Sequence, residues 1–570
     1  MPQGRKKMPF SGKAKKEQLK SKKQRKASST PFMRGRENNE CLDNTNKINF
    51  QSKKDPDSKT NKYALMFRRE TENELRLRKE IARQSLVPVT EKELEIDARD
   101  YFPEEFDFPK RPEWSYELTK EELESNERKY FNEYLGKMEK NFTSSELGFF
   151  ELNLETWRQL WRVIEMSDII LYILDIRFSN LMFPPSLYEY VTKELKKDFI
   201  LVINKIDLAP APLVVAWKSY FQEMYPDIHI VMFTSMPSYN LFGKQSNKGG
   251  LQVRRRRGRI HMAAEGAQTL LNVCKSIVGS EVDLSSWEQK IQEEMNADSK
   301  EAEQVEVGEV VEQKSVDTSF YQHERFNNGM LTIGCVGYPN VGKSSLMNAL
   351  KGKKIVSVSR TPGHTKYFQT IFLTPNVRLC DCPGLVFPSR VPRMLQVLMG
   401  SFPIAQLREP YTTVKFLAER LNLQKLLRIE HPEQDDTWSA MDICDGWSKK
   451  RGFVTAKAAR LDSYRGANSL LRMALDGKIC LCFRPPKYHS RTDFWSNHPE
   501  VQKVLWIQAK SDEETTPSFL HHLDSSDEAS DTEIHAENGI MSSENEDESS
   551  DDESDLEIQT MTNKFSLLRD

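Results

Sequence analysis

The 570-residue chain has little cysteine, no long apolar run and no apolar leader, and each absence excludes a class of protein. Eight cysteines are too sparse for a disulfide framework. The best apolar run, residues 169–174, is strand-sized, well short of the ~20 residues that a membrane helix needs. The N-terminus carries charge but no apolar segment behind it, so no secretory signal is read there. Cys380-x-Cys382 and Cys480-x-Cys482 read as pairs of strand residues on one face, not as metal ligands. Hydrophobic residues make up only 38% of the chain, so long stretches contribute to no core. The expectation is a soluble, reduced, intracellular protein with no membrane partner.

What the chain does have is charge, unevenly placed. The net charge of -2 conceals a head with 13 Lys/Arg and one acid over residues 1–36, and a tail with 18 Asp/Glu and no Lys or Arg over 511–559. Five parts are expected: a basic disordered head (1–60), an N-terminal extension (61–156), an α/β domain (157–388) with a basic then acidic insertion at about 240–327, a helical C-terminal region (389–510) and an acidic disordered tail (511–570). Apolar spacing predicts helices over 72–82, 154–165, 262–277, 345–350 and 457–475. Residues 101–114, rich in Pro and aromatics, read as an extended segment packed on a neighbour. Continuous β-branched runs at 168–174, 199–203, 228–233, 330–337 and 377–380 predict parallel strands buried on both faces.

Gly337, Tyr338, Pro339, Asn340, Val341, Gly342, Lys343 and Ser344 follow one such strand and open a helix, the phosphate-loop pattern in its required setting. Backbone N–H groups and the helix N-terminus would cradle phosphates, Lys343 would reach the β- and γ-phosphates, and the Ser344 hydroxyl would ligate Mg²⁺. Asn204, Lys205, Ile206 and Asp207 end another buried strand. The Asp207 carboxylate can accept from both N1–H and the 2-amino group of guanine, a pair adenine does not present. Asn204 can tie this loop to the phosphate loop, and the Lys205 stem can cover the ring. Asp381, Cys382, Pro383, Gly384 and Leu385 end a third strand: Asp381 would hold Mg²⁺ through water, and the Gly384 N–H would face the γ-phosphate. Between these lies Thr365, the candidate to contact Mg²⁺ and the γ-phosphate, while Ser235, after the next strand, would support the base.

The order is unusual. Ras-like GTPases place the phosphate loop first, whereas here Asn204–Asp207 and Ser235 precede residues 337–344, 365 and 381–384. The chain resembles the circularly permuted GTPases, relatives of the nucleolar and large-subunit assembly GTPases, from about 154 to 486. The resemblance implies a P-loop GTPase domain of permuted topology that takes GTP, GDP and Mg²⁺. Leu385 stands where Ras has its water-orienting glutamine, which implies slow intrinsic hydrolysis. Asn340 resembles the asparagine of cation-dependent GTPases, so it either serves a K⁺ ion or only orders the loop. Lys343, Thr365, Gly384 and Asn340 are thus the catalytic candidates. A nucleotide-gated switch acting on ribosomal RNA or a pre-ribosomal particle is expected, with a signalling or scaffold GTPase of little turnover as the alternative. The basic head and Arg254–Arg259 suit RNA phosphates and nuclear or nucleolar residence with a cytoplasmic pool; Ser/Asp/Glu runs in the tail suit an acid-directed kinase.

Overall fold

A computed structural model describes residues 65–235, 241–242, 253–254, 264–296, 324–352, 369–455 and 460–509, apart from 69, 116, 144 and 145. The basic head, the acidic tail, residues 255–259 and Thr365 lie outside the described residues.

The extension begins with α1 (Glu72–Ala82), whose start is written into the sequence: Thr71 accepts from the Glu74 N–H while the Glu74 carboxylate takes the Thr71 N–H. After a stretch with two short 3-10 turns, Glu91–Leu94 and Ala98–Asp100, α2 (Lys120–Asn141) runs for 22 residues and buries Leu123, Phe131 and Met138. α3 (Leu154–Met166) then turns Trp157, Leu160, Trp161 and Ile164 into the core. The sheet comprises β1 (Ile169–Asp175), β2 (Asp198–Asn204), β3 (His229–Met232), β6 (Leu331–Gly337), β7 (Gln369–Thr374) and β8 (Val377–Asp381), with α4 (Ala211–Met224) between β2 and β3. A separate antiparallel ribbon pairs β4 (Leu241–Phe242) with β5 (Val253–Arg254).

In space the strand order is β3-β2-β1-β6-β8-β7, parallel throughout except for the β7–β8 pair. β1 and β6 are buried at every position, which explains why they read as unbroken apolar runs. α5 (Ala264–Val278) and α6 (Ser285–Asn296) follow, the first packing against β3. Within the stretch read as acidic insertion, Leu284, Trp287 and Ile291 are buried, their helical spacing masked by the charges around them. α7 (Lys343–Lys351) leaves the phosphate loop.

The C-terminal region is helical: α8 (Arg393–Leu398), α9 (Tyr411–Arg420), α10 (Ala440–Arg451), α11 (Ser463–Leu475) and α12 (Glu500–Ala509). α11 begins at Ser463, six residues after the expected 457, because Val454 and Leu461 form a β-bridge and Asp462 caps the helix by accepting from the Arg465 N–H. Of the two Cys-x-Cys pairs only Cys380 is a strand residue: Cys382 lies one residue past β8, and Cys480 and Cys482 are in no strand.

The extension is a strap. Its backbone donates from Gly148 to Ser389 O (2.9 Å) and from Glu151 to Val386 O (3.0 Å), and Tyr101 O accepts from Arg390 N (2.8 Å). Glu151 itself is fully buried, with Oε1 accepting from Met66 N (3.0 Å) and Asn153 N (2.8 Å). Burial pushes its carboxyl up from 4.5 to about 8, against those hydrogen bonds. The folded state therefore holds a proton that the unfolded chain gives up near 4.5; the resulting stability is full below that pH and is lost as pH rises through 8. Glu151→Gln mimics the protonated acid. The stability of wild type relative to this variant, followed by thermal unfolding, should decline from pH 5 to 8 and then level off. A constant difference would remove the buried-proton account.

Candidate nucleotide-binding site

Register brings the motif ends together. Asp175 pairs with Asn204 across β1 and β2, Ile173 with Gly337 across β1 and β6, and Cys335 with Asp381 across β6 and β8. The carboxyl ends of four adjacent parallel strands thus form one edge, the place where open α/β sheets bind ligands.

At its centre is the phosphate loop. Gly342 caps α7 with φ +101°, and a Cβ there would lie 2.4 Å from Asn204 Nδ2. Lys343 is buried, its Nζ donating to Gly337 O (3.1 Å) and Tyr338 O (2.8 Å). Burial lowers its pKa, and the neighbouring Asp381 works the other way. Val341 is buried beneath the loop and anchors it to the core.

On one side lies the base loop. Asn204 Nδ2 donates to Val341 O at 2.8 Å. Lys205, at φ +58°, lays its chain across the phosphate loop so that Nζ meets Asn340 O (2.6 Å) and Asp175 Oδ2 (2.8 Å). Ile206 N reaches Phe233 O, and Gln508 of α12 donates to Ile206 O (2.7 Å) and Ala209 O (2.9 Å). Asp207 Oδ1 accepts from Thr234 Oγ1 (2.9 Å). Ser235 Oγ and Asn204 Oδ1 are buried without a hydrogen-bond partner, acceptors that a polar ligand on this edge would meet.

On the other side is Asp381, fully buried, with Oδ2 taking the Ser344 hydroxyl at 3.1 Å and Oδ1 without a partner. Burial pushes its pKa up to about 6, against Lys343 and Ser344. An unpartnered buried carboxylate oxygen beside a hydroxyl fits a hard divalent cation. Among the described residues no group of three or more His, Cys, Asp or Glu side chains is arranged for a metal, so such a cation would draw its other ligands from phosphate and water. Gly384 packs so closely on the loop that a Cβ would lie 2.7 Å from Pro339 Cα and 3.1 Å from Lys343 Nζ. Cys382 N donates to Cys335 O and Leu385 N to Gly337 O, both at 3.2 Å, so residues 382–385 run along β6 into the loop; Pro383 and Leu385 are buried. The Cys380 thiol is pushed up to about 11 by burial, leaving it unreactive as a thiolate.

The structure therefore gathers residues 337–344, 204–207, 235 and 381–385 on one edge. Asn340 is oriented unlike a residue that faces only the phosphates: its Nδ2 donates outward to Gly400 O (2.9 Å) in the C-terminal region. Three further residues belong to the edge without being singled out by sequence. Asp175 and Arg177 form a buried ion pair behind Lys205, and Thr234 orients Asp207. The available signal was Asp-x-Arg directly after the first buried strand.

A family model described as 50S ribosome-binding GTPase matches residues 332–416. Guanine nucleotide-binding protein-like 1 of Mus musculus is 51% identical over 468 residues, covering 79% of this chain and 77% of that protein. Large subunit GTPase 1 of Schizosaccharomyces pombe is 34% identical over 424 residues, covering 71% of this chain and 62% of that protein. Among solved structures, GNP-bound YlqF from T. maritima aligns with 58% of this chain and 98% of its own at 15% identity and a TM-score of 0.32, too loose a likeness to argue from.

Proposed function

From the premise that the chain belongs to the guanine nucleotide-binding protein-like 1 family of circularly permuted GTPases, we propose that the edge described above is its GTP site and that a ribosomal particle is its object. The protein binds GTP and hydrolyses it to GDP and phosphate. The observation that carries the site is the Asn204–Val341 hydrogen bond: base loop and phosphate loop hold each other across 137 residues of sequence, as one pocket for base and phosphates requires. Within 157–388, Asp207 reads the guanine edge, with Thr234 fixing the carboxylate and Ser235 and Ile206 flanking it. The Lys205 stem covers the ring, and residues 337–344 wrap the phosphates. Lys343 and the Gly384 N–H meet charge that builds on the γ-phosphoryl oxygens, and Thr365 is the candidate to contact Mg²⁺ and the γ-phosphate. Ser344 and Asp381, with Thr365, would hold Mg²⁺, which would supply positive charge against the phosphates.

Leu385 is apolar and buried, so it orients no water, and turnover is slow. Asn340 would hold a K⁺ ion, whose positive charge would offset that deficit in part. Hydrolysis is then expected to run faster in KCl than in NaCl at equal ionic strength; equal rates would reduce Asn340 to a loop-ordering residue.

The basic head and Arg254–Arg259 suit RNA phosphates, and the tail suits an acid-directed kinase, both in a nuclear or nucleolar setting with a cytoplasmic pool. Purified protein should cosediment with ribosomal particles in the presence of a non-hydrolysable GTP analogue but not GDP, and Lys343→Ala should abolish it. No cosedimentation in any state would favour a signalling or scaffold GTPase and leave the nucleotide site intact.

A further inference from the structure

Behind the proposed base loop lies a network that neither the phosphates nor the base requires. Asp175 and Arg177 are 1% and 2% exposed. Arg177 Nε and Nη2 grip Asp175 Oδ1 (3.1 Å) and Oδ2 (2.8 Å) as a fork, and the same Oδ2 holds Lys205 Nζ at 2.8 Å. The remaining arm, Arg177 Nη1, donates to Ala474 O (2.8 Å) in the last turn of α11, where helix carbonyls are electronegative. The Arg177 carbonyl accepts from Phe483 N at 3.0 Å, further along the same C-terminal segment. From Lys205 the chain of bonds continues to Asn340 O (2.6 Å), and from the Asn340 side chain to Gly400 O (2.9 Å). A Cβ on Gly400 would sit 3.2 Å from Leu475 Cδ2, so the two ends of the chain meet on the same helix end.

We propose that Asp175 and Arg177 are positioning residues for the guanine nucleotide, setting Lys205 over the phosphate loop only while α11 is seated, so that nucleotide binding and docking of the C-terminal region are coupled. This rests on the GTP-site reading above. Lysine loses much rotamer freedom when fixed, and a buried carboxylate with a second cation behind it does the fixing. Unseating α11 removes an acceptor from Arg177, loosens the fork and frees the Lys205 stem. Linkage makes the effect reciprocal: nucleotide that favours the fixed Lys205 must favour the seated α11 by the same factor. The route starts at the base loop, so it responds to GDP as well as GTP.

The test uses the full chain and fluorescent GDP. Arg177→Lys keeps the charge but loses the fork and the reach to Ala474 O; it should weaken GDP binding on the order of tenfold. In wild type, saturating GDP should slow amide hydrogen exchange several-fold at residues 476–483 and leave α2 unchanged, and Arg177→Lys should lose that local slowing. A folded Arg177→Lys variant with wild-type affinity would overturn the positioning role. Unchanged exchange at 476–483 in wild type, with GDP bound, would overturn the coupling even if the variant does not fold. Failure of wild type to bind GDP would overturn the GTP-site reading itself, and the titration shows this before any variant is made.

Discussion

Asp207→Asn should weaken GTP and GDP binding by about 10⁴-fold, because a site built to hydrogen-bond a substrate penalises a mismatch at this level. The carboxylate offers two acceptor oxygens to the guanine N1–H and 2-amino group; an amide turns one of them into a donor that faces a donor. Thr234 Oγ1 already donates to Asp207 Oδ1, which holds the side chain in one rotamer and leaves it little room to turn away from the clash. Displacement of fluorescent GDP measures this directly. Inosine triphosphate, which lacks the 2-amino group and so loses one hydrogen bond to the carboxylate, should bind wild type more weakly than GTP by about 10–100-fold. If GTP and inosine triphosphate compete equally, Asp207 does not read the base.

Lys343→Ala should lower the hydrolysis rate by about 10²–10³-fold, the cost of deleting one preorganised charge from a phosphoryl-transfer site. The side chain is buried, with Nζ on Gly337 O and Tyr338 O, so its ammonium is placed before any nucleotide arrives. Deleting it leaves those two loop carbonyls without their donor, and the loop should open. Affinity for GTP should therefore fall more than affinity for guanosine, which has no phosphates. Single-turnover hydrolysis with saturating variant separates the two effects. A variant that hydrolyses GTP at the wild-type rate would exclude Lys343 from the reaction.

The features that were legible in sequence are those written locally. Residues 72–82 were bounded correctly because Thr71 and Glu74 form a capping box three residues apart. The strands were legible because burial on both faces leaves an unbroken apolar run. The loops 204–207, 337–344 and 381–385 were legible as candidates because each is a pattern of a few consecutive residues, and the sheet brings them to one edge. What stayed hidden depends on distant partners. α2 reads as a charged segment because Glu127 is itself buried, satisfied by Arg111 and Arg158 from elsewhere in the chain. Arg177 resembles any surface arginine until Ala474, nearly 300 positions away, supplies its acceptor. Thr234, which bonds Asp207, was not singled out beside Ser235, because alternation along an extended segment decides which of two adjacent hydroxyls faces Asp207 and composition does not.

The permuted strand order also sets a timetable for synthesis. β1 leaves the ribosome beside β2 and β3, but its other neighbour is β6: Ile169 waits for Ile333. At translation speeds of about 5–20 residues per second, that wait lasts roughly 8–30 s. Throughout it the middle of the future sheet is an open edge, apolar from Ile169 to Leu174, the kind that recruits stray strands. Fragments ending before residue 331 should therefore aggregate.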